Sequence, residues 1–348
     1  MNELIEKIVK LRSELGSKVI IPVHHYIIPE IVEIGDFVGD SYKLAVECSR
    51  SKAEYIVMCG VLFMAEGAKI LASEKQKVLI PQITAGCPLA NMIEDDAARN
   101  VHKKLTSSTQ KEVIPVTYMN SYAATKSFCG EHGGAVCTSS NAVDIIRYYH
   151  KQGKAVFFSP DYNLGINSAN LLGLGSDEVM RVDSDTPEGD YSKVKLFIWD
   201  GFCIVHKRFH LSDIEQLRKT YPKINIIVHP ECDEEIVEAA DMSGSTQKIY
   251  NEVKDAADGS VWGIGTEYHF VHRLQMEYPS KTIVPLRRSD CFNMGKIDLE
   301  SLYLSLQSIQ AYENNEGELK IEVEVSQEHM VNARKALEKM IRIVESGK

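Results

Sequence analysis

Apolar and polar positions follow two rhythms along the chain. Residues 1–16 place Leu4, Ile5, Ile8, Leu11 and Leu15 on one helical face, and Gly16 is a natural stop. The run 18–23 has no polar face, so it reads as a strand buried on both sides, and it delivers His24, His25 and Tyr26 at its end. A helical stretch from Pro29, a helix over 42–49, a strand over 55–58, a helix over 63–72 and a strand over 78–80 follow, and then a turn carrying Cys87. After a polar segment, 100–111, the rhythm restarts: strand 113–116 delivers Tyr118 and Asn120, and a turn of Thr138, Ser139, Ser140 and Asn141 precedes a helix over 142–150. Strands 155–158 and 194–199, separated by a polar loop over 176–192, lead to Cys203. A third start has a helix over 211–221, a strand over 224–228 delivering His229 and Glu231, the turn Gly244-Ser245-Thr246, strands 261–264 and 282–285, and Cys291. Strands alternating with helices predict parallel α/β sheets.

The three segments share one order: buried strand, polar cluster, helix, hydroxyl turn, two more strands, cysteine. Ser41 to Cys87 is 46 residues, Ser245 to Cys291 is also 46, and Ser139 to Cys203 is 64 because of the polar loop. A repeat of this length predicts three similar three-layer α/β/α domains with parallel sheets around a pseudo-threefold axis, their strand ends facing one central site; that this is a metal-cluster site is what the family resemblance given below implies. The boundaries are 1–100 with Cys87, 101–206 with Cys203, and 207–293 with Cys291. Residues 294–348 are then a helical appendage packing on the domains, with a helix over 299–309, a strand over 319–325 and a last helix capped by Ser326.

Composition narrows the class. A chain of 348 residues with 44% hydrophobic content can bury a large core, and a net charge of −10 argues against non-specific binding to nucleic acid or anionic membranes. No apolar stretch approaches the roughly 18 residues of a membrane span, and residues 1–18 alternate charged with apolar positions, which predicts a cytosolic protein. Eight cysteines are too few for a disulfide scaffold.

Ligands of open α/β sheets sit beyond the carboxyl ends of the strands, where the polar clusters and cysteines fall. Cys87, Cys203 and Cys291 recur at one position; Cys48, Cys59, Cys129, Cys137 and Cys232 do not and read as packing. Three thiolates suit zinc with an open position or a 4Fe-4S cluster with one iron lacking a protein ligand, and spacing favours neither. Locally, Cys203 and His206 also resemble a C-x-x-H metal motif. Ser41, Ser139 and Ser245 with Thr246 stand before helices, where they either cap or help hold a phosphate or carboxylate; Asp40 reads as a structural turn residue. Glu231 with His229, and His24, Tyr26, Tyr118 and His206, offer proton carriers. His25, His132, His210, His269 and His272 read as satisfied polar groups, and Trp199, Tyr148 and Tyr149 as packing.

These residues also carry a family resemblance. H-H-Y (24–26), D-F-V-G-D-S (36–41), C-G-V-L-F-M-A-E (59–66), A-G-C-P-L-A (85–90), T-Y-M-N (117–120), C-T-S-S-N-A (137–142), W-D-G-F-C-I-V-H (199–206), H-P-E-C (229–232), G-S-T (244–246) and G-T-E (265–267) resemble the quinolinate synthase family in order over nearly the whole chain. The resemblance implies condensation of iminoaspartate with dihydroxyacetone phosphate to quinolinate, a precursor of NAD, with loss of phosphate and water. It implies one 4Fe-4S cluster held by Cys87, Cys203 and Cys291, with the fourth iron open, and coupling to an L-aspartate oxidase that supplies the imine. It assigns Glu231 as the proton-transfer base, and Tyr26, Tyr118 and His206 to orienting or protonating the carbonyl and leaving hydroxyl. His24 and His229 line the site, while Ser41, Asn120, Ser139, Ser245 and Thr246 hold phosphate or carboxylates. Departures are Ile27-Ile28 after Tyr26, Gly35 before Asp36, and an extra loop over 128–134 that sets Cys129 near Cys137, where a regulatory disulfide is a minor reading beside plain burial. A zinc-dependent hydrolase using the cysteines or His24, His206 and His229, and a non-catalytic module binding anionic metabolites, are the alternatives.

Overall fold

The computed structural model describes residues 2–347. The chain forms two compact units: one takes residues up to Cys87 with Glu267–Pro279 and Arg288–Val325, the other Pro88–Thr266, Ser280–Arg287 and the chain from Ser326 onward.

In the first unit the apolar run after helix Asn2–Leu15 makes two short strands in line, Val19–Ile20 and Pro22–His24. Val19–Ile20 pairs in parallel with Tyr55–Val57, which pairs in parallel with Lys77–Leu79. Pro22–His24 pairs in parallel with Phe37–Gly39, and a bridge from Val23 to Cys59 joins the two sets. The strands therefore stand in the chain order second, first, third, fourth. Helix Leu299–Glu313 packs on helix Asn2–Leu15 in this unit.

The second unit holds two more parallel sheets. One runs Ala135–Cys137, Val113–Tyr118, Ala155–Ser159, Leu196–Trp199, with Val179–Val182 added at its far edge; the other runs Met242–Ser243, Asn225–Val228, Val261–Gly265, Thr282–Pro285. Setting the added edge strand aside, both repeat the order second, first, third, fourth. Leu196–Trp199 is buried along its whole length, as are Val113–Tyr118 and Ala155–Ser159, because helices cover both faces of a parallel sheet; this is why these runs lack alternation. Around Asn225–Val228, Ile226 and Val228 pack with Phe209, Ile214, Ile236 and Leu286 in one apolar cluster. Truncating such a fully buried isoleucine to alanine costs about 2–5 kcal/mol.

Helix Gln327–Ser346 lies across helix Ala123–Glu131 at Gly130, where an added Cβ would sit 1.9 Å from the Asn332 carbonyl oxygen. The close crossing thus requires glycine. Residues beyond 294 divide their helices between the two units.

Four local expectations are corrected. The polar segment 100–111 belongs largely to helix Asp95–Ser107, whose buried face is only Ala98, Val101, His102 and Leu105, too weak a stripe to read. The extra loop over 128–134 is mostly the end of helix Ala123–Glu131. The polar loop 176–192 contains strand Val179–Val182, which has one buried residue and so shows no apolar pattern. The strand expected over 319–325 reduces to one antiparallel bridge between Leu79 and Glu322, because Ile321 takes a left-handed φ of 57° that breaks an extended run. Among the described residues no helix is long and apolar enough to cross a membrane.

Candidate functional site

In the second unit strand Asn225–Val228 ends in His229, Pro230 and Glu231. The His229 N–H still donates to the Gly265 carbonyl (3.0 Å), which extends the sheet by one bond before the chain turns away. Two asparagines of helix Tyr162–Leu172 fix that turn: Asn167 donates to the carbonyls of Pro230 and Cys232 (both 2.9 Å), and Asn163 to that of Glu231 (3.3 Å).

The side chains so placed form a buried polar chain. Glu231 Oε2 lies 2.7 Å from His206 Nδ1, and His206 Nε2 lies 3.0 Å from Thr266 Oγ1. The His206 and His229 rings stack at 4.4 Å, and His229 Nε2 reaches Ser139 Oγ at 3.2 Å. Burial alone would raise the Glu231 carboxyl; the His206 imidazole, then His229 and the hydrogen bond from the Tyr118 hydroxyl outweigh it and hold Glu231 below the ordinary carboxylate range. Asp161 is pushed the other way, first by burial and then by the Glu231 charge. Two carboxyls in one dry region are thus pushed in opposite directions.

Beside this chain is a cavity of about 430 Å³ lined in part by Ser139, Ser140, Asn167, Pro230, Ser245 and Lys248. Ser245 caps helix Thr246–Asp255, accepting the Lys248 N–H at 3.3 Å, and Thr246 is buried at the first helical position. Ser139 sits in a turn closed by Asn141, whose Oδ1 accepts the Thr138 N–H at 2.7 Å. Asn120 is half-buried two residues past strand Val113–Tyr118.

The first unit repeats the strand-end turn. The His24 N–H donates to the Cys59 carbonyl (3.0 Å), and the Tyr26 N–H to His24 Nδ1 (3.2 Å), as the Glu231 N–H does to His229 Nδ1 (3.3 Å). The Tyr26 ring stands edge-on to His24 at 4.7 Å. Ser41 opens helix Ser41–Arg50 and is half-buried; Asp40 is its cap, accepting the Lys43 N–H at 3.0 Å. Lys43 and Lys248 fold back alike, each donating to the carbonyl five residues earlier.

Of the eight cysteines, Cys87, Cys203 and Cys291 are partly exposed and the other five buried. Burial raises the thiols of Cys48, Cys59, Cys129, Cys137 and Cys232, which makes them unreactive. The loops of the three exposed cysteines are built alike. The first N–H of the helix after each third strand, at Leu62, Tyr162 and Tyr268, donates to the carbonyl two residues before the cysteine, at Ala85, Gly201 and Ser289 (2.8, 2.8 and 3.0 Å). A 3₁₀ turn begins three residues after each cysteine: Ala90–Met92, His206–Arg208 and Met294–Lys296. His206 therefore holds the place of Ala90 and Met294 in the turn.

The other histidines singled out in the sequence have structural partners: Arg273 donates to His25 (2.7 Å), His132 Nδ1 meets the Phe128 carbonyl (3.0 Å), His269 Nδ1 meets Glu267 (2.8 Å), His272 Nδ1 meets Gln275 Oε1 (3.4 Å), and His210 belongs to a capping box. The Trp199 indole N–H donates to the Met92 carbonyl (2.8 Å). Three contributors escaped the reading of the chain. Thr266 was visible only as part of G-T-E, and Asp161 only as a polar residue after a buried strand. Lys126, fully buried and bonded to the carbonyls of Met119 (3.0 Å) and Ser121, had no signal because the stretch 121–127 shows no pattern that predicts an element.

The profile of the family described as Quinolinate synthetase A protein matches residues 6–342. Similar proteins include a quinolinate synthase of Haloarcula marismortui, 42% identical over 98% of this chain and 92% of that one. Others are quinolinate synthases of Listeria monocytogenes and Geobacillus thermodenitrificans, 40% and 39% identical, each over 98% of this chain and 94% of theirs. Sharing this similarity from end to end, the chain belongs to the Quinolinate synthetase A protein family.

Proposed function

We propose that the chain condenses iminoaspartate with dihydroxyacetone phosphate to quinolinate, with loss of phosphate and water, in the route to NAD. Beyond family membership, one observation carries the reading: a fully buried Glu231, kept ionised by His206 and Tyr118, at the carboxyl end of a parallel strand. The donor chemistry fits a cluster, since the three exposed thiols alone share one loop architecture. Cys87, Cys203 and Cys291 would hold a 4Fe-4S cluster, which supplies an open iron as a Lewis acid for the departing hydroxyl.

The chain's own groups supply the rest. The Glu231 carboxylate accepts a proton from carbon beside the imine or carbonyl, and His206 at 2.7 Å exchanges that proton with it. Tyr118 and Tyr26 donate to oxygen as charge develops there, and His24 and His229 orient them and the substrate. Ser139, Ser245 and Thr246, with Ser41 and Asn120, receive carboxylates or phosphate at helix starts and in the cavity. The shared strand order supports three similar α/β domains. An L-aspartate oxidase in the same cytosolic compartment would supply the unstable imine.

Protein purified and assayed without oxygen is expected to be brown, to contain iron and sulfide in equal amounts, and to release quinolinate from the two substrates. Iron-loaded protein that makes none would refute the reading.

A second reading has one observation in its favour: donor atoms of Cys203, His206 and Glu231 lie within 4.8 Å of one another, as a zinc site needs. His206 and Glu231 already use those atoms on each other, which argues against it. Zinc without sulfide, together with hydrolase activity, would establish it.

A further inference from the structure

The fully buried Glu267 is the cap of helix Tyr268–Glu277, yet its carboxylate takes far more than a cap needs. Oε2 accepts the N–H groups of His269 (2.7 Å) and Phe270 (3.3 Å), while Oε1 accepts His269 Nδ1–H (2.8 Å) and the backbone N–H of Cys291 (3.1 Å). One side chain thus ties a helix start to the loop of a cysteine. Asp161 occupies the same place one repeat earlier. It caps helix Tyr162–Leu172, accepts the Leu164 N–H at 2.7 Å, is fully buried, and is stabilised in its charged form by the backbone N–H of Cys203. At both places the next residue's N–H bonds the carbonyl two before the cysteine. In the remaining repeat the position is Val61, which has no acceptor.

We infer that Glu267 is a positioning residue that holds the backbone of Cys291 so that the thiolate faces outward for metal, and that Asp161, at the matching cap beside the matching loop bond, stands in the same relation to the Cys203 loop. Neither touches substrate in this role. The inference rests on the cluster reading for its purpose, but the hydrogen bonds of Glu267 that carry it do not. The Glu267 carboxylate, bonded to the Cys291 N–H, withholds that donor from sulfur and fixes the loop, the kind of support on which metal ligands depend.

The test begins with iron-free, reduced protein and iodoacetamide, with the rate followed at each cysteine by mass spectrometry. Glu267→Ala should speed alkylation of Cys291 by about fivefold or more, because a freer loop and the loss of a nearby carboxylate both favour the reactive thiolate. Cys87 and Cys203 should react as in the parent. Asp161→Ala should speed Cys203 alone. Glu267→Gln keeps an acceptor oxygen and should return Cys291 most of the way to the parent rate. In loaded protein the alanine variants should lose iron to a ferrous chelator several-fold faster. If Glu267→Ala is insoluble, Glu267→Ser, which can cap the helix but is too short to reach the Cys291 N–H, takes its place: a Cys291 rate identical to the parent's in that variant, or equal acceleration at all three cysteines, overturns the inference. A parent protein that binds no iron would refute the proposed function while leaving the selective thiol effect readable. A brown, active parent whose variants show no selectivity would overturn only the positioning role.

Discussion

Glu231→Gln tests the chemistry most directly. The substitution keeps the volume and one acceptor for Tyr118 or His206, but presents an amide N–H₂ to the other and removes the charge that His206 meets at 2.7 Å. Losing one buried charge-assisted bond costs about 1–3 kcal/mol of stability, a drop of several degrees in Tm, and the variant should stay folded. Losing the base should lower kcat about 10²–10⁴-fold with KM little changed. The pH sign follows from the direction of the shift. Glu231 lies below its unfolded value of about 4.3, so its contribution to stability is present above that pH and is lost as pH falls through the lower folded value. The same depression keeps the base ionised at neutral and mildly acid pH, so Glu231 imposes no fall in parent activity between about pH 7 and 5. The assay is anaerobic quinolinate release by cluster-loaded protein across pH, with iron measured on each sample. A Glu231→Gln protein that keeps its iron and more than a tenth of the parent kcat would refute the assignment.

Cys203→Ser should give colourless protein without iron, whereas Cys232→Ala, which removes a buried thiol, should leave iron content unchanged; equal iron in both would remove Cys203 from the ligand set. Gly130→Ala forces a methyl to 1.9 Å from the Asn332 carbonyl and should lower stability by about 1–3 kcal/mol or more in thermal or urea unfolding, with an unchanged Tm arguing against the close crossing. Lys126→Met strands the buried carbonyl of Ser121, next to Asn120, while that of Met119 still accepts the Ser121 N–H at 2.8 Å; the loss costs about 1–3 kcal/mol, and a raised KM with nearly normal kcat is expected, so an unchanged KM would deny Lys126 any part in shaping the site.

Strands buried on both faces were readable because they needed no partner to explain them: Leu196–Trp199 and Val113–Tyr118 stand out as apolar runs. Weakly buried elements were not. Helix Asp95–Ser107 buries two alanine-sized or polar residues among four, and strand Val179–Val182 depends on a neighbour 17 residues away in the chain, Leu196, for its pairing. The site divides in the same way. Residues at the ends of strong strands, such as His24, His229 and Glu231, could be found from the strands alone. Thr266 and Asp161 matter through interactions with residues distant in sequence, and Lys126 through bonds to two nearby backbone carbonyls; a polar residue bonded to a backbone group leaves no periodic trace.

The bond from each helix start to the carbonyl before each cysteine involves protein atoms only. Such a loop keeps its shape whether or not anything is bound to its sulfur, unlike domains that fold around their metal. Emptying and refilling the protein should therefore be a matter of ligand exchange on a standing frame: far-ultraviolet circular dichroism should not change when iron leaves, and reconstitution should proceed at a rate set by iron and sulfide delivery, with no refolding phase. With the proposed cluster, a chain of this kind would be stripped by oxygen and returned to service without being made again.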